Sequence, residues 1–213
     1  MNIALAAPGV ASADRPPKRP GFEKVGRFWD ARHGLWTVQL MAGELYVGDH
    51  REVITTVLGS CISACVRDPV LGVGGMNHFM LPAGPEDGSS GAPERYGAYA
   101  LERLITEMIK LRARRERLEV KVFGGGRMLG GMADVGQMNI DFVRAFFRAE
   151  GLTIAAEDVG ETCARQVRYN PATGQVKVRR LWSLATAAVS AREAELRQRL
   201  AAVAEQAGKL ELF

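Results

Sequence analysis

Residues 55–82 read TTVLGSCISACVRDPVLGVGGMNHFMLP, from Thr55 to Pro82. Three apolar runs in and beside this stretch each end in turn-forming residues. Val53–Leu58 stops at Gly59-Ser60, Ile62–Arg67 at Asp68-Pro69, and Gly72–Leu81 at Pro82. Short apolar, β-branched runs punctuated in this way predict buried strands. The tight Gly59-Ser60 turn delivers Cys61, and His78 follows seventeen residues later on the third run. A thiol and an imidazole are the minimum for a cysteine nucleophile with its base. The chemistry of the chain turns on whether these two groups meet in space.

Outward from this stretch, Leu45–Gly48 reads as a strand end. Residues 1–35 mix proline, glycine and charge without a sustained period, which predicts a mobile extension. Downstream, residues 83–95 form a polar Gly/Pro-rich loop, and Tyr96–Arg115 has the three-four apolar spacing of an amphipathic helix. Leu118–Phe123 reads as a strand running into Gly124-Gly125-Gly126, with Gly130-Gly131 beyond it. Asn139–Glu150 reads as a second helix and Leu152–Ala156 as a strand. Pro171-Ala172-Thr173-Gly174 between Val167–Asn170 and Gln175–Arg179 signals a hairpin. The Ala/Glu/Arg/Leu-rich residues 184–213 predict a helical tail, leaving 36–183 as one domain. Strands and helices do not alternate regularly, so the pattern favours α+β over a doubly wound sheet.

Composition narrows the function. The 213 residues are 47% hydrophobic and 24% charged, ordinary for a globular domain. No apolar run approaches the roughly 20 residues of a membrane span, so no membrane insertion is expected. The net charge of +4 is concentrated at Lys18, Arg19, Lys24 and Arg27, at Arg112–Arg117, and at Arg179-Arg180. Without interleaved aromatics these clusters read as solvated arginines, and no nucleic acid is expected. Cys61, Cys65 and Cys163 are too few and odd for a disulfide framework, which suits a reducing cytoplasm. Ile3–Ala13 ends in a small-residue motif, but no Lys or Arg precedes it and Pro8-Gly9 interrupts it, so it matches a signal peptide poorly.

Cofactor motifs fail on their spacing. A dinucleotide fingerprint starting at Gly124 requires glycine where Leu129 stands, and a phosphate loop from Gly125 requires Lys where Gly131 stands. Cys61 and Cys65 would lie about 13 Å apart on a strand, too far for one zinc ion, so no metal and no cofactor are expected. The Cys61/His78 pair is different, because the Gly59-Ser60-Cys61 turn can aim backbone N–H groups at an oxyanion. Each residue alone also suits a buried core position. Thr55 and Thr56 precede the turn, and either hydroxyl could orient the imidazole.

These residues resemble the chemoreceptor glutamine deamidases, the CheD family of chemotaxis. VLGSCISACVRDPVLGVGGMNHFMLP resembles the family signature. Val122-Phe123-Gly124-Gly125-Gly126, then Gly136 and Asn139, resemble its glycine-rich loop and following helix. Asp158-Val159-Gly160, Arg165 and Asn170–Gly174 resemble its C-terminal strand pair, with Glu161 where many members carry a second glycine. The similarity spans about residues 38–182. It implies an α+β fold of mixed β-sheets packed as a sandwich and flanked by helices, with a papain-like Cys-His site. It implies Cys61 as nucleophile, His78 as base and Thr55 as the orienting hydroxyl, with Gly59, Ser60 and Gly125 as oxyanion donors or site wall. The activity implied is conversion of receptor glutamine to glutamate and ammonia through a thioester, with glutamyl methylesterase activity as a second reaction. The substrates implied are methyl-accepting chemotaxis receptors, and the partner is the chemotaxis phosphatase CheC. A competing reading is a non-catalytic module that docks on a phosphatase or receptor. The intact Cys61, His78 and Thr55 set favours the enzyme.

Overall fold

The computed structural model describes residues 17, 19–80, 93–128, 134–182, 186–195 and 198–199. Most of the predicted 1–35 extension's first half, most of the 83–95 loop, Gly130-Gly131 and the tail beyond residue 200 lie outside the described residues. In chain order the strands are β1 (Gly26–Asp30), β2 (Leu35–Gln39), β3 (Leu45–Gly48), β4 (Glu52–Leu58), β5 (Ile62–Asp68) and β6 (Val73–Asn77), then β7 (Glu119–Gly124), β8 (Ile154–Val159), β9 (Ala164–Tyr169) and β10 (Val176–Leu181). The helices are α1 (Pro93–Lys110), α2 (Val135–Ala149) and α3 (186–195).

The strands form two mixed five-stranded sheets, ordered β1-β2-β4-β9-β10 and β3-β6-β5-β7-β8. Consecutive strands β4 and β5 belong to different sheets and occupy the centre of each. The Gly59-Ser60-Cys61 segment is therefore a crossing between two sheets and not a hairpin. Two side chains on β9 hold the sheets face to face. The Tyr169 hydroxyl donates to the Val66 carbonyl on β5, and the buried Arg165 guanidinium donates to the Gly124 carbonyl at the end of β7.

Helices α1 and α2 cover the other face of the second sheet, α1 on β3, β5 and β6, and α2 on β5 and β8. That sheet is buried on both sides, which explains why β3 and β5 read as nearly continuous apolar runs. The first sheet has one open face, and β10 alternates between half-buried and exposed positions accordingly. The α+β sandwich expected from the sequence is thus the architecture found. One boundary moves: β1 lies inside the predicted mobile extension, pairs with β2 from Gly26 opposite Gln39 to Asp30 opposite Leu35, and is preceded by buried Phe22 and Val25. The proline-rich sequence just before it hid a five-residue edge strand.

α1 sits close on the sheet because β6 offers glycine at the contact. A Cβ on Gly75 would lie 2.7 Å from Leu104 Cδ1, 2.8 Å from Val47 Cγ1 and 3.0 Å from the Tyr46 carbonyl oxygen. Overfilling such a contact costs about 1–3 kcal/mol. Gly75→Ala is expected to lower the unfolding free energy by that amount, seen as a lower urea midpoint with an unchanged slope in equilibrium denaturation.

Candidate active site

The crossing between the sheets is fixed from behind. The Gly59 carbonyl accepts from Gly126 N (2.7 Å), the Cys61 carbonyl from Gly125 N (2.8 Å), and the Ser60 carbonyl from Asn139 Nδ2 on α2 (2.8 Å). With the Gly59 and Ser60 carbonyls held on one side, the N–H groups of Ser60 and Cys61, which share their peptide planes, turn to the other, where the Gly59 N–H joins them. They converge on one carboxylate, that of Glu193 on α3, at 2.9, 2.7 and 3.2 Å. Such a cluster of backbone donors is an anion site in its own right.

The backing loop can approach this closely only as glycine. Gly124 has φ +112°, and a Cβ there would fall 2.1 Å from the Cys61 carbonyl oxygen. Gly125, expected as a donor or wall, spends its N–H on the Cys61 carbonyl and braces the crossing from behind.

His78 reaches the site through an interruption in β6. Cys65 pairs with Met76, and beyond the gap Ile62 pairs with Phe79 in the same register. Between them the Asn77 side chain replaces the missing backbone contact, accepting from Ala64 N at 2.8 Å. The Asn77 carbonyl accepts from the Ser63 hydroxyl. His78 N is thereby freed to donate to the Glu44 carbonyl (2.9 Å), which carries the imidazole over the crossing.

The resemblance points to Thr55 as the orienting hydroxyl, but the structure puts Thr56 there. Adjacent residues of β4 point to opposite faces. Thr55 faces away from the second sheet, and its hydroxyl donates to the Val167 carbonyl on β9. Thr56 shares the inner face with Ile54 and Leu58, and its Oγ1 lies 2.8 Å from His78 Nδ1. The single Thr56 hydroxyl hydrogen is donated to the Leu40 carbonyl at 2.9 Å. Nδ1 therefore carries the imidazole proton and donates to Thr56 Oγ1, leaving Nε2 as a lone pair. Among the described residues that Nε2 is buried without a hydrogen-bond partner.

Ligand atoms of Cys61, His78 and Glu193 all lie within 4.8 Å of one another, so the thiol and the imidazole do meet. The same three groups could be taken for a metal site. Oε1 of Glu193 already accepts from Gly59 N and Cys61 N, and Oε2 from Ser60 N and the Ser60 hydroxyl. A carboxylate whose lone pairs are engaged in this way is a poor metal ligand.

Burial, the largest influence, pushes His78 down to about 4, while the Glu193 charge and the Leu40 carbonyl hold it up. It is neutral near pH 7, as a general base must be. Burial also raises Glu193, but hydrogen bonds from Cys61 and Ser60 outweigh it and keep the carboxyl below its ordinary range.

A family model described as CheD chemotactic sensory transduction matches residues 80–180. A protein of Hahella chejuensis named "Probable chemoreceptor glutamine deamidase CheD" is 45% identical over the full length of both chains. A protein of the same name from Saccharophagus degradans is 49% identical over 80% of this chain and 82% of its own. Another from Bordetella parapertussis is 41% identical over 92% of this chain and 96% of its own. The chain belongs to the CheD family. The signature from Val57 to Pro82, by which it resembles CheD proteins, is thus the segment that builds the crossing and delivers His78.

Thr56 stood level with Thr55 in the residues and was passed over on the resemblance, and Glu193 escaped the sequence reading. Thr56 had a signal, the period-two alternation of β4, but its use required knowing which face meets the second sheet. Glu193 had none, being one acid among many in an Ala/Glu/Arg-rich helix.

Protonation of His78 couples to stability. Its folded value of about 4 lies below the ordinary 6.5, so the unfolded chain takes up that proton first as pH falls. Stability is therefore full above about pH 6.5 and declines toward pH 4, by about 3 kcal/mol. Glu193, depressed below 4.5, adds a further loss only under that pH. Denaturant titrations of wild type and His78→Gln across pH 4–7 check this. The variant is expected to lose the upper part of the slope.

Proposed function

We propose that this protein hydrolyses the side-chain amide of glutamines in chemoreceptors, with Cys61 as nucleophile and His78 as base. The observation that carries this reading is the convergence of three backbone N–H groups beside a thiol and an unpartnered imidazole Nε2. The names of its CheD relatives supply the substrate.

His78 Nε2 takes the Cys61 proton and the sulfur attacks the carboxamide carbon. The N–H groups of Gly59, Ser60 and Cys61 hold the oxyanion. Protonated His78 returns its proton to the leaving nitrogen, and ammonia departs. Neutral His78 then draws a proton from water, which opens the thioester to leave glutamate and the free thiol. Thr56 accepts from Nδ1–H throughout and strengthens that bond while the ring is positive, making it a positioning residue. A methyl ester enters the same thioester with methanol leaving, which gives the glutamyl methylesterase reaction. Receptors are the substrate in this reading, the phosphatase CheC is the docking partner, and the three buried free cysteines suit a reducing cytoplasm.

Receptor peptide mass spectrometry tests the assignment. Wild-type protein is expected to convert defined receptor glutamines to glutamates, and Cys61→Ala to convert none. Conversion by Cys61→Ala at the wild-type rate would rule the mechanism out. The two threonines are expected to separate in the same assay. Thr56→Val lowers kcat by roughly tenfold or more with little change in KM, while Thr55→Val stays within about twofold.

A further inference from the structure

Glu193 carries a buried carboxylate at the crossing. It lies on α3, whose side chains at Ala187, Ala188, Ala191, Arg192 and Glu195 are exposed. Among the described residues of this helix only Glu193 is buried, at 6% exposure, with its carboxylate in the nest of the crossing. It accepts from the Gly59, Ser60 and Cys61 N–H groups, and from the Ser60 hydroxyl at 2.6 Å. The thiol hydrogen-bonds to it as well. It also fills the space over Gly59, where an added Cβ would lie 2.8 Å from Oε2. Cys61 is 0% exposed and His78 6% exposed beneath it, so the site as it stands is closed.

A carboxylate on the oxyanion donors, touching the nucleophile, has the form of a glutamine hydrolysis product before release. We propose that α3 is a tethered, product-like occupant of the active site, and that α3 must leave before substrate enters. The proposal rests on the reading of Cys61 as the nucleophile. Three physical consequences follow from the contacts. The occupant takes the donors that the oxyanion needs. Its negative charge beside the sulfur opposes formation of a thiolate. Its helical backbone shows that the site admits a Glu-length side chain presented from an α-helix, with small residues Ser190, Ala191 and Ala194 around it.

If Glu193 sits in the product pose, a glutamine there is a substrate. In the Glu193→Gln variant, Cys61 attacks the carboxamide carbon of the introduced side chain, the amide nitrogen leaves as ammonia with the proton from His78, and water opens the thioester. The balance is one water consumed and one ammonia released, with residue 193 converted back to glutamate.

Two measurements on the full chain test the proposal. Iodoacetamide labelling at neutral pH is expected to modify Cys61 at least about tenfold faster in Glu193→Ala than in wild type, because labelling follows the open fraction. Cys65 and Cys163 remain slow. Equal Cys61 rates in the two proteins overturn the proposal. Purified Glu193→Gln is expected to carry glutamate at 193 by peptide mass spectrometry, while Glu193→Gln with Cys61→Ala keeps the amide. An amide retained at 193 in a preparation that deamidates receptor overturns the product pose. If Glu193→Ala exposes all three cysteines together, the Glu193→Gln result decides alone. Fast Cys61 labelling in Glu193→Ala with no receptor deamidation by any protein upholds occupancy and removes the deamidase assignment instead.

Discussion

The carbonyls of Gly59, Ser60 and Cys61 are each held by a donor on the β7–α2 side, two from glycine N–H groups and one from Asn139. The Gly59 and Ser60 carbonyls share their peptide planes with the N–H groups of Ser60 and Cys61, so holding those carbonyls on one side sets these two donors on the other. This is why the fold places β4 and β5 in different sheets. A hairpin would have consumed these groups in a ladder, whereas a crossing leaves them free. Cys61 follows at the far end, and the break in β6 brings His78 over it. The glycines at 124 and 136 belong to the same constraint. Any side chain at 124 would collide with the Cys61 carbonyl, and one at 136 would meet the Gly125 carbonyl oxygen at 2.5 Å.

The electrostatics of the site follow from its dryness. Desolvation keeps His78 neutral, and Nδ1 is committed to Thr56, so its one available lone pair faces the thiol side. Glu193 is negative in the same space only because several donors replace its water. A buried charge that is well paired contributes little net stability, since its desolvation cost nearly cancels the gain. α3 adds little apolar burial of its own, as half of its positions face solvent and only Glu193 is buried. Its attachment is therefore specific but weak, and a competing helix with a more apolar face could displace it.

Much of this architecture was legible in the sequence because burial writes itself into residue choice. The doubly covered sheet gave nearly continuous apolar runs at β3 and in the first part of β5, and the tight crossing announced itself as Gly-Ser before Cys. Thr55 and Thr56 were not separable by residue type, since both suit a strand and only the facing of β4 distinguishes them. β1 lay hidden because an edge strand with an open face needs few apolar residues, and the prolines upstream of it suggested no structure. Glu193 was invisible for a different reason. A carboxylate that binds backbone N–H groups leaves no complementary side-chain pattern to read.

Arg165 has a consequence for motion. Its guanidinium donates to the carbonyls of Gly124 and Gly160 from a strand of the opposite sheet, with Asp158 alongside. Separating the sheets would strand a buried cation, so the amides behind the crossing exchange with solvent only through opening of the whole domain. α3 is held by hydrogen bonds of Glu193 and Thr186, not by a side chain that locks the two sheets together, so under the proposal above it opens alone. The molecule thus has two clocks, a slow one for the scaffold that aims the donors and a fast one for the helix that covers them.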